Sequence, residues 1–170
     1  MAPVIESPAP VPTDTRALRN ALGRFATGVA VVTAIDPDGH PVGLTINSFA
    51  AVSLEPPLVL WSLANSSHNL EAFRRASHHC VNVLAAGQVD ISNRFATWPV
   101  DRFAGLPWHP GLGGAPRLEG CCASFEVCNE IQHTGGDHLI FLARVERFEH
   151  DSVLSPLLFH GGRYRHLVED

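Results

Sequence analysis

The chain is poor in charge, in basic clusters and in long apolar runs. Charged residues make up 17% of its 170 positions, the formal net charge is −5, and no Lys/Arg cluster exceeds the pair Arg74–Arg75. Neutralising a phosphate backbone needs a basic cluster, so nucleic acid is not expected as a partner. No apolar stretch approaches the roughly 18 residues of a membrane helix, and the longest, around Gly28 to Ile35 and Pro56 to Leu63, are strand-length. No membrane partner is expected either. The opening MAPVIESPAPVPT carries neither a basic region nor an apolar core, so it is not a secretory signal and a cytoplasmic protein is expected.

Cysteine is scarce and wrongly spaced for a framework. Cys80 stands alone, Cys121 and Cys122 are adjacent, and Cys128 follows, with no C-x-x-C pair. A domain of this size buries roughly 70% of its unfolded surface and needs no covalent staple, so the thiols read as buried and reduced. Ten histidines raise the question of a metal. However, His78-His79 would point to opposite strand faces, and His133 with His138 has no standard zinc spacing, so no metal site is expected. Also missing are a G-x-S-x-G elbow, an H-E-x-x-H helix and a P-loop. Gly111-Leu112-Gly113-Gly114 only echoes a dinucleotide fingerprint, since no strand precedes it and Pro116 follows where a helix should begin.

What is present is a series of short β runs. Residues 1–13 hold four of the thirteen prolines and suggest an extended or disordered arm, leaving 14–170 as one domain. Asp14 or Thr15 can cap an amphipathic helix carrying Leu18, Leu22 and Phe25 and ending near Gly28. Strands are expected at Val29–Ile35, Val42–Ile46, Phe49–Leu54 and Leu58–Leu63, the first two joined by the turn Asp36-Pro37-Asp38-Gly39. A helix capped by Ser67 and carrying Leu70 and Phe73, a strand His79–Ala85 and a helix Gln88–Thr97 follow. Trp98–Pro116, with four glycines and four prolines, reads as a long functional or covering loop. Leu118–Gln132 and Leu139–Phe148 complete the β content. Six or more short strands with irregularly placed helices indicate a mainly β fold, a closed or split barrel rather than a doubly wound sheet, although periodicity alone also fits a sandwich.

The segment Gly43 to Leu58, GLTINSFAAVSLEPPL, sets amides and hydroxyls among apolar residues where two strands meet at Asn47-Ser48. Such a corner suits a flat heteroaromatic ligand with a hydrogen-bonding edge, or is an ordinary strand corner. Taken with TGVAVVTA before it, VNVL after it, the Q-x3-S-x2-FA of Gln88 to Ala96, FAGLPW of Phe103 to Trp108 and Gly136-Asp137-His138, it resembles the flavin reductase family from about Leu18 to Tyr164. That resemblance implies a six-stranded antiparallel split β-barrel with a few flanking α-helices, working as a homodimer. It implies FMN or FAD as flavin, NADH or NADPH as cosubstrate, and a partner flavin-dependent oxygenase reached by diffusible reduced flavin. Thr45, Ile46, Asn47, Ser48 and Ser53 would lie along the flavin, and Ser62, Asn65, Ser66 and Ser67 at a turn where hydroxyls and N–H groups can hold its phosphate. A plain helix cap is the other reading of that turn. Phe95 would approach the flavin or serve as a core aromatic. Gly136, Asp137 and the catalytic candidate His138 would border the nicotinamide, and Tyr164 would sit near the same site or simply pack. Ala51 stands where the family commonly has a second serine, removing one hydroxyl contact worth about 0.5–1.5 kcal/mol. Hydride transfer is carried by the two cofactors, so the lack of a triad is expected. Two other readings remain open on the sequence: retained FMN reducing a corrinoid or ferric iron, and a non-catalytic flavin- or haem-binding module.

Overall fold

The computed structural model describes residues 14–97 and 101–168. The N-terminal arm and the start of the expected long loop, Trp98 included, lie outside them.

Asp14 caps helix α1 (Thr15–Leu22), its Oδ1 accepting from the N–H groups of Arg16 and Ala17 at 3.0 Å each. The helix ends at Gly23 rather than near Gly28, because Thr27–Gly28 are drawn off as strand β1, pairing with β11 (Leu158–His160). Nothing on α1 is buried, and Leu18, Leu22 and Phe25 are all more than half exposed. The remaining strands are β2 (Ala30–Ile35), β3 (Pro41–Ile46), β4 (Ala50–Leu54), β5 (Pro57–Ala64), β6 (His78–Val83), β7 (Trp108–Pro110), β8 (Pro116–Leu118), β9 (Ala123–Gly135), β10 (His138–His150) and β12 (Arg163–Arg165). Helices α2 (Leu70–Arg75) and α3 (Val89–Ala96) flank β6. Helix α2 begins at Leu70 with Asn69 as its cap, and Ser67 instead accepts from the Asn69 N–H at 3.3 Å in the preceding turn.

Seven antiparallel strands form the main sheet in the order β3-β2-β6-β9-β10-β5-β4, one more than expected, and the sheet does not close. Its outer strands β3 and β4 are consecutive in the chain, separated only by Asn47, Ser48 and Phe49. The mainly β, split-barrel architecture therefore stands. The expected loop carries a small hairpin of its own, β7 with β8, around a 3-10 turn at Leu112–Gly114. The Arg102 guanidinium donates to the carbonyls of Gly43 and Thr97, tying the loop to β3 and α3.

Burial is two-sided on β2, where Val29 to Ala34 are all buried. Ala30, Val32 and Ala34 face the barrel interior with Ile46, Leu63 and Val81, while Val29 and Val31 pack under Phe95, Leu118 and Leu157 on the outer face. Inside the barrel Trp61 stacks on Phe141, with centroids 4.3 Å apart, and Phe73 and His79 meet the pair edge-on. Buried Asn82 holds β8 against the outer face: its Oδ1 accepts from Leu118 N–H at 2.8 Å, and its Nδ2 donates to the carbonyls of Val31 and Pro116. All four cysteines are reduced. Cys80 and Cys122 are buried as expected, but Cys121 and Cys128 are only half-buried.

His79 is fully buried and donates from Nε2 to the Phe73 carbonyl at 2.9 Å, which leaves Nδ1 bare and without a partner among the described residues. Burial pushes its pKa from the usual 6.5 down to about 4. Because the unfolded chain protonates first, His79 contributes full stability above pH 6.5 and loses it progressively as pH falls towards 4. The difference corresponds to about 3 kcal/mol. Thermal melts between those pH values should show a steep loss of Tm in the native protein and a shallower one in His79→Phe; parallel slopes would contradict this account.

Candidate functional site

The site forms where the sheet fails to close. Beyond its pairing with β4, the second half of β5 from Trp61 to Ala64 runs on without a strand partner on that side among the described residues, and it lines a cavity with the end of β3. Ser48 bridges the opening, its Oγ accepting from the Ser62 N–H at 3.0 Å and donating to the Ser62 carbonyl at 3.2 Å. A cavity of about 320 Å³ lies here, lined by Leu44 to Ser48, Ser62 to Ala64, Ser67 and His138. A second cavity, of about 220 Å³, shares Thr45, Ile46 and Asn47 and continues to Ser92, Ala96, Phe159 and Tyr164. The two adjoin along Thr45, Ile46 and Asn47, making a groove at the edge of β3, and the larger falls in the size range of small-molecule sites. A third cavity adjoins it through Asn47 and Phe159 and is lined by Arg19, Arg24, Phe25 and Thr27.

The floor is apolar, with Ile46 and Leu63 belonging to the barrel core. Above it, a line of hydrogen bonds fixes the wall. Thr45 Oγ1 donates to the Ser92 carbonyl at 2.6 Å, Ser92 Oγ and Tyr164 Oη lie 2.9 Å apart, and Tyr164 donates to Asn93 Oδ1 at 2.9 Å. Ser92 and Ala96 sit one helical turn apart on α3 and so face the groove together.

At the far end, β9 and β10 are joined by Gly136-Asp137 alone. Gly136 has φ +66° and Asp137 a negative φ, the pattern of a type II′ hairpin, which needs glycine first. The hairpin is clamped to the turn after β5: Asn65 N–H donates to the Asp137 carbonyl at 2.8 Å and Asn65 Nδ2 to the Gly136 carbonyl at 3.3 Å. His138 is thereby set at the rim, its Nδ1 2.7 Å from Asp137 Oδ1, and the contact holds the Asp137 carboxyl below the usual carboxylate range.

Of the residues singled out in the sequence, Thr45, Ile46, Asn47, Ser48, Ser62, Ser67, His138 and Tyr164 line the groove. Asn65, Gly136 and Asp137 stand behind it, shaping the turn that presents His138. Ser66 is exposed beside that turn, and Ser53 lies on β4 next to Pro57 and Leu58, outside the groove. Phe95 is a core residue, 1% exposed, packed on Phe103 and so close to Gly43 that a Cβ there would meet its ring at 2.7 Å. Its place in α3 turns it inward, whereas Ser92 and Ala96 turn out. Ser92, Phe159 and Val29 were not read from the sequence as lining residues, although the i, i+4 spacing of Ser92 and Ala96 is a legible signal for one helix face.

The donor set suits a flat, polar-edged ring carrying an anionic tail. Asn47 and Ser62 offer side chains that make no hydrogen bond among the described residues, over an apolar floor. Thr27 Oγ1, beside the adjoining cavity, is one of three buried side-chain polar atoms without a partner among the described residues. A flavin fits that pattern.

Residues 22–168 match the model of the flavin reductase like domain. A probable flavin reductase of Rhizobium meliloti is 47% identical over 89% of this chain, which spans 48% of that relative's length. The FMN reductase (NADH) SmoA of Agrobacterium fabrum is 46% identical over 89% of this chain and 85% of its own. HsaB of Rhodococcus jostii, the reductase subunit of a flavin-dependent monooxygenase, is 42% identical over 92% of this chain and 80% of its own. Among solved structures, the NADH:FAD oxidoreductase SgcE6 of Streptomyces globisporus superposes with a TM-score of 0.89 at 36% identity, covering 96% of this chain and 99% of that one.

Ser48→Ala removes both links to Ser62 and should cost on the order of 1 kcal/mol, or roughly 2–4 °C in Tm. Flavin affinity should fall with it, because the hydroxyl holds the two walls together. A lowered Tm with unaltered flavin binding would separate the bridge from the site. With the split, its groove and the sequence match in agreement, the chain belongs to the flavin reductase family.

Proposed function

We propose that this chain reduces FMN or FAD with NADH or NADPH and releases the reduced flavin to a partner monooxygenase, acting as a homodimer. The observation that carries the reading is the groove itself, an apolar floor with a polar rim and His138 at one end. No serine or cysteine nucleophile paired with a histidine base lines it among the described residues, so the protein's part is binding and orientation. When bound, flavin and reduced nicotinamide supply the hydride chemistry between them.

Ile46 and Leu63 would support one face of the flavin ring, and Asn47, Ser62 and the backbone near Ser48 would meet its polar edge. Ser67 and the Asn65–Ser66 turn offer donors for a phosphate. His138, steadied by Asp137, would orient the nicotinamide over the open face. SmoA is named as an NADH enzyme and SgcE6 likewise, which supports NADH as the reductant, while the two differ in flavin. HsaB, a reductase subunit, supports a partner oxygenase. No described helix is long and apolar enough to cross a membrane. The exposed apolar residues Leu22, at the end of α1, and Phe25, just beyond it, line the third cavity, so a second copy covering them would also cap that end of the groove.

The decisive test is oxidation of NADH and NADPH by the purified protein, with and without added FMN, FAD or riboflavin. Turnover that depends on added flavin is expected. A yellow protein that oxidises neither nucleotide overturns the proposal. His138→Ala should raise the KM for the nucleotide about tenfold, equivalent to roughly 1.4 kcal/mol, with flavin affinity little changed. Unchanged nucleotide kinetics would remove His138 from the mechanism. Leu22→Glu should shift the sedimenting species from dimer to monomer; a native protein that sediments as a monomer refutes the homodimer.

A further inference from the structure

Three side chains far apart in the sequence meet on the outer part of the main sheet. Pairing of β6 with β9 sets His78 opposite Cys128, and pairing of β9 with β10 sets Cys128 opposite Arg144. The β9–β10 register then slips between Val145 and Arg147, a bulge that leaves Glu146 without a cross-strand partner and re-aims its carboxylate. One imidazole nitrogen, one thiol sulfur and one carboxylate oxygen come to lie within 4.8 Å of one another. His78 Nε2 and Glu146 Oε2 are 3.3 Å apart. Two ligands each about 2.0–2.1 Å from one tetrahedral ion are separated by about 3.3 Å.

The surroundings orient these atoms as outer groups orient metal ligands. His78 Nδ1 lies 2.9 Å from Ser77 Oγ. With the ring proton donated there, the bare Nε2 faces the carboxylate, and a cation between the two relieves the repulsion. The ring is backed by Gly113 at φ +61°, where a Cβ would come within 3.0 Å of Nδ1. Arg144 holds the other carboxylate oxygen of Glu146 at 3.0 Å, and its own charge is met by Glu130 at 2.5 Å. A thiolate and a carboxylate together balance a divalent ion. The side chains of His78 and Glu146 are 23% and 28% exposed, which leaves room for water as a fourth ligand.

We propose that His78, Cys128 and Glu146 form a site for a divalent transition ion, with zinc the best match to one nitrogen, one sulfur and one oxygen donor. The site cross-links β6, β9 and β10. Glu146 lies eight residues along β10 from His138, roughly 25 Å at strand rise, so the site is separate from the groove and independent of its reading.

The full chain, freed of metal, is titrated with zinc against a chromophoric chelator and, separately, with cobalt(II). One zinc per chain and a thiolate-to-cobalt charge-transfer band are expected. Cys128→Ser should abolish that band and weaken zinc binding more than about tenfold, and His78→Gln and Glu146→Gln should weaken it likewise, with Cys121→Ser as the neutral control. In the unsubstituted protein, zinc should slow alkylation of Cys128 and leave Cys121 unaffected, a readout that needs no variant to fold. Absence of zinc binding, a missing charge-transfer band, or alkylation of Cys128 at the same rate with and without zinc overturns the site.

Discussion

Two edge strands of a seven-stranded sheet are joined by only three residues, and much of the molecule follows from that constraint. Laid flat, the sheet would set β3 and β4 roughly 29 Å apart, from six gaps of about 4.8 Å. The chain from Ile46 to Ala50 reaches at most about 14 Å. The sheet must therefore roll until its edges approach. Yet the connection turns between them without laddering, so the barrel stays split. An open edge would ordinarily invite another strand; here Ser48 bridges it to Ser62 and the groove occupies it.

The same residues serve the core and the groove. Ile46 and Leu63 are at once barrel core and groove floor, so that wall is as rigid as the barrel interior. Thr45, Ser92, Tyr164 and Asn93 form a chain of hydrogen bonds that fixes the second cavity before any ligand arrives. Preorganisation of this kind suits chemistry carried by bound cofactors, because the protein's contribution is orientation. His138 belongs to a different part of the architecture, a two-residue hairpin clamped by Asn65, which makes the rim position a product of turn chemistry rather than of core packing.

Strands were legible where one physical signal dominated. The β-branched run before Ile35, the Asp36–Gly39 turn and the Asp14 cap each depend on neighbours a few residues away. The end of α1 was not, because Thr27–Gly28 pair with Leu158–Phe159, more than a hundred residues on. Phe95 illustrates the limit for single residues. Its motif was visible, but whether an aromatic on α3 faces groove or core depends on what lies under Gly43. Ser53 lies apart from the groove for a similar reason, since β4 pairs past it with the first half of β5.

Composition, punctuation and motif order were enough by themselves to determine a mainly β domain and to single out the strand corner at Thr45–Ser48, since those signals are local or survive as a linear pattern. Only the tertiary structure decided which polar groups converge. Ser48 meets Ser62, Tyr164 meets Ser92, and His78 meets Cys128 and Glu146 through strand register and a bulge. Register shifts of one residue reverse every side chain on a strand, and the pairings that set register here join residues as far apart in the chain as His78 and Cys128.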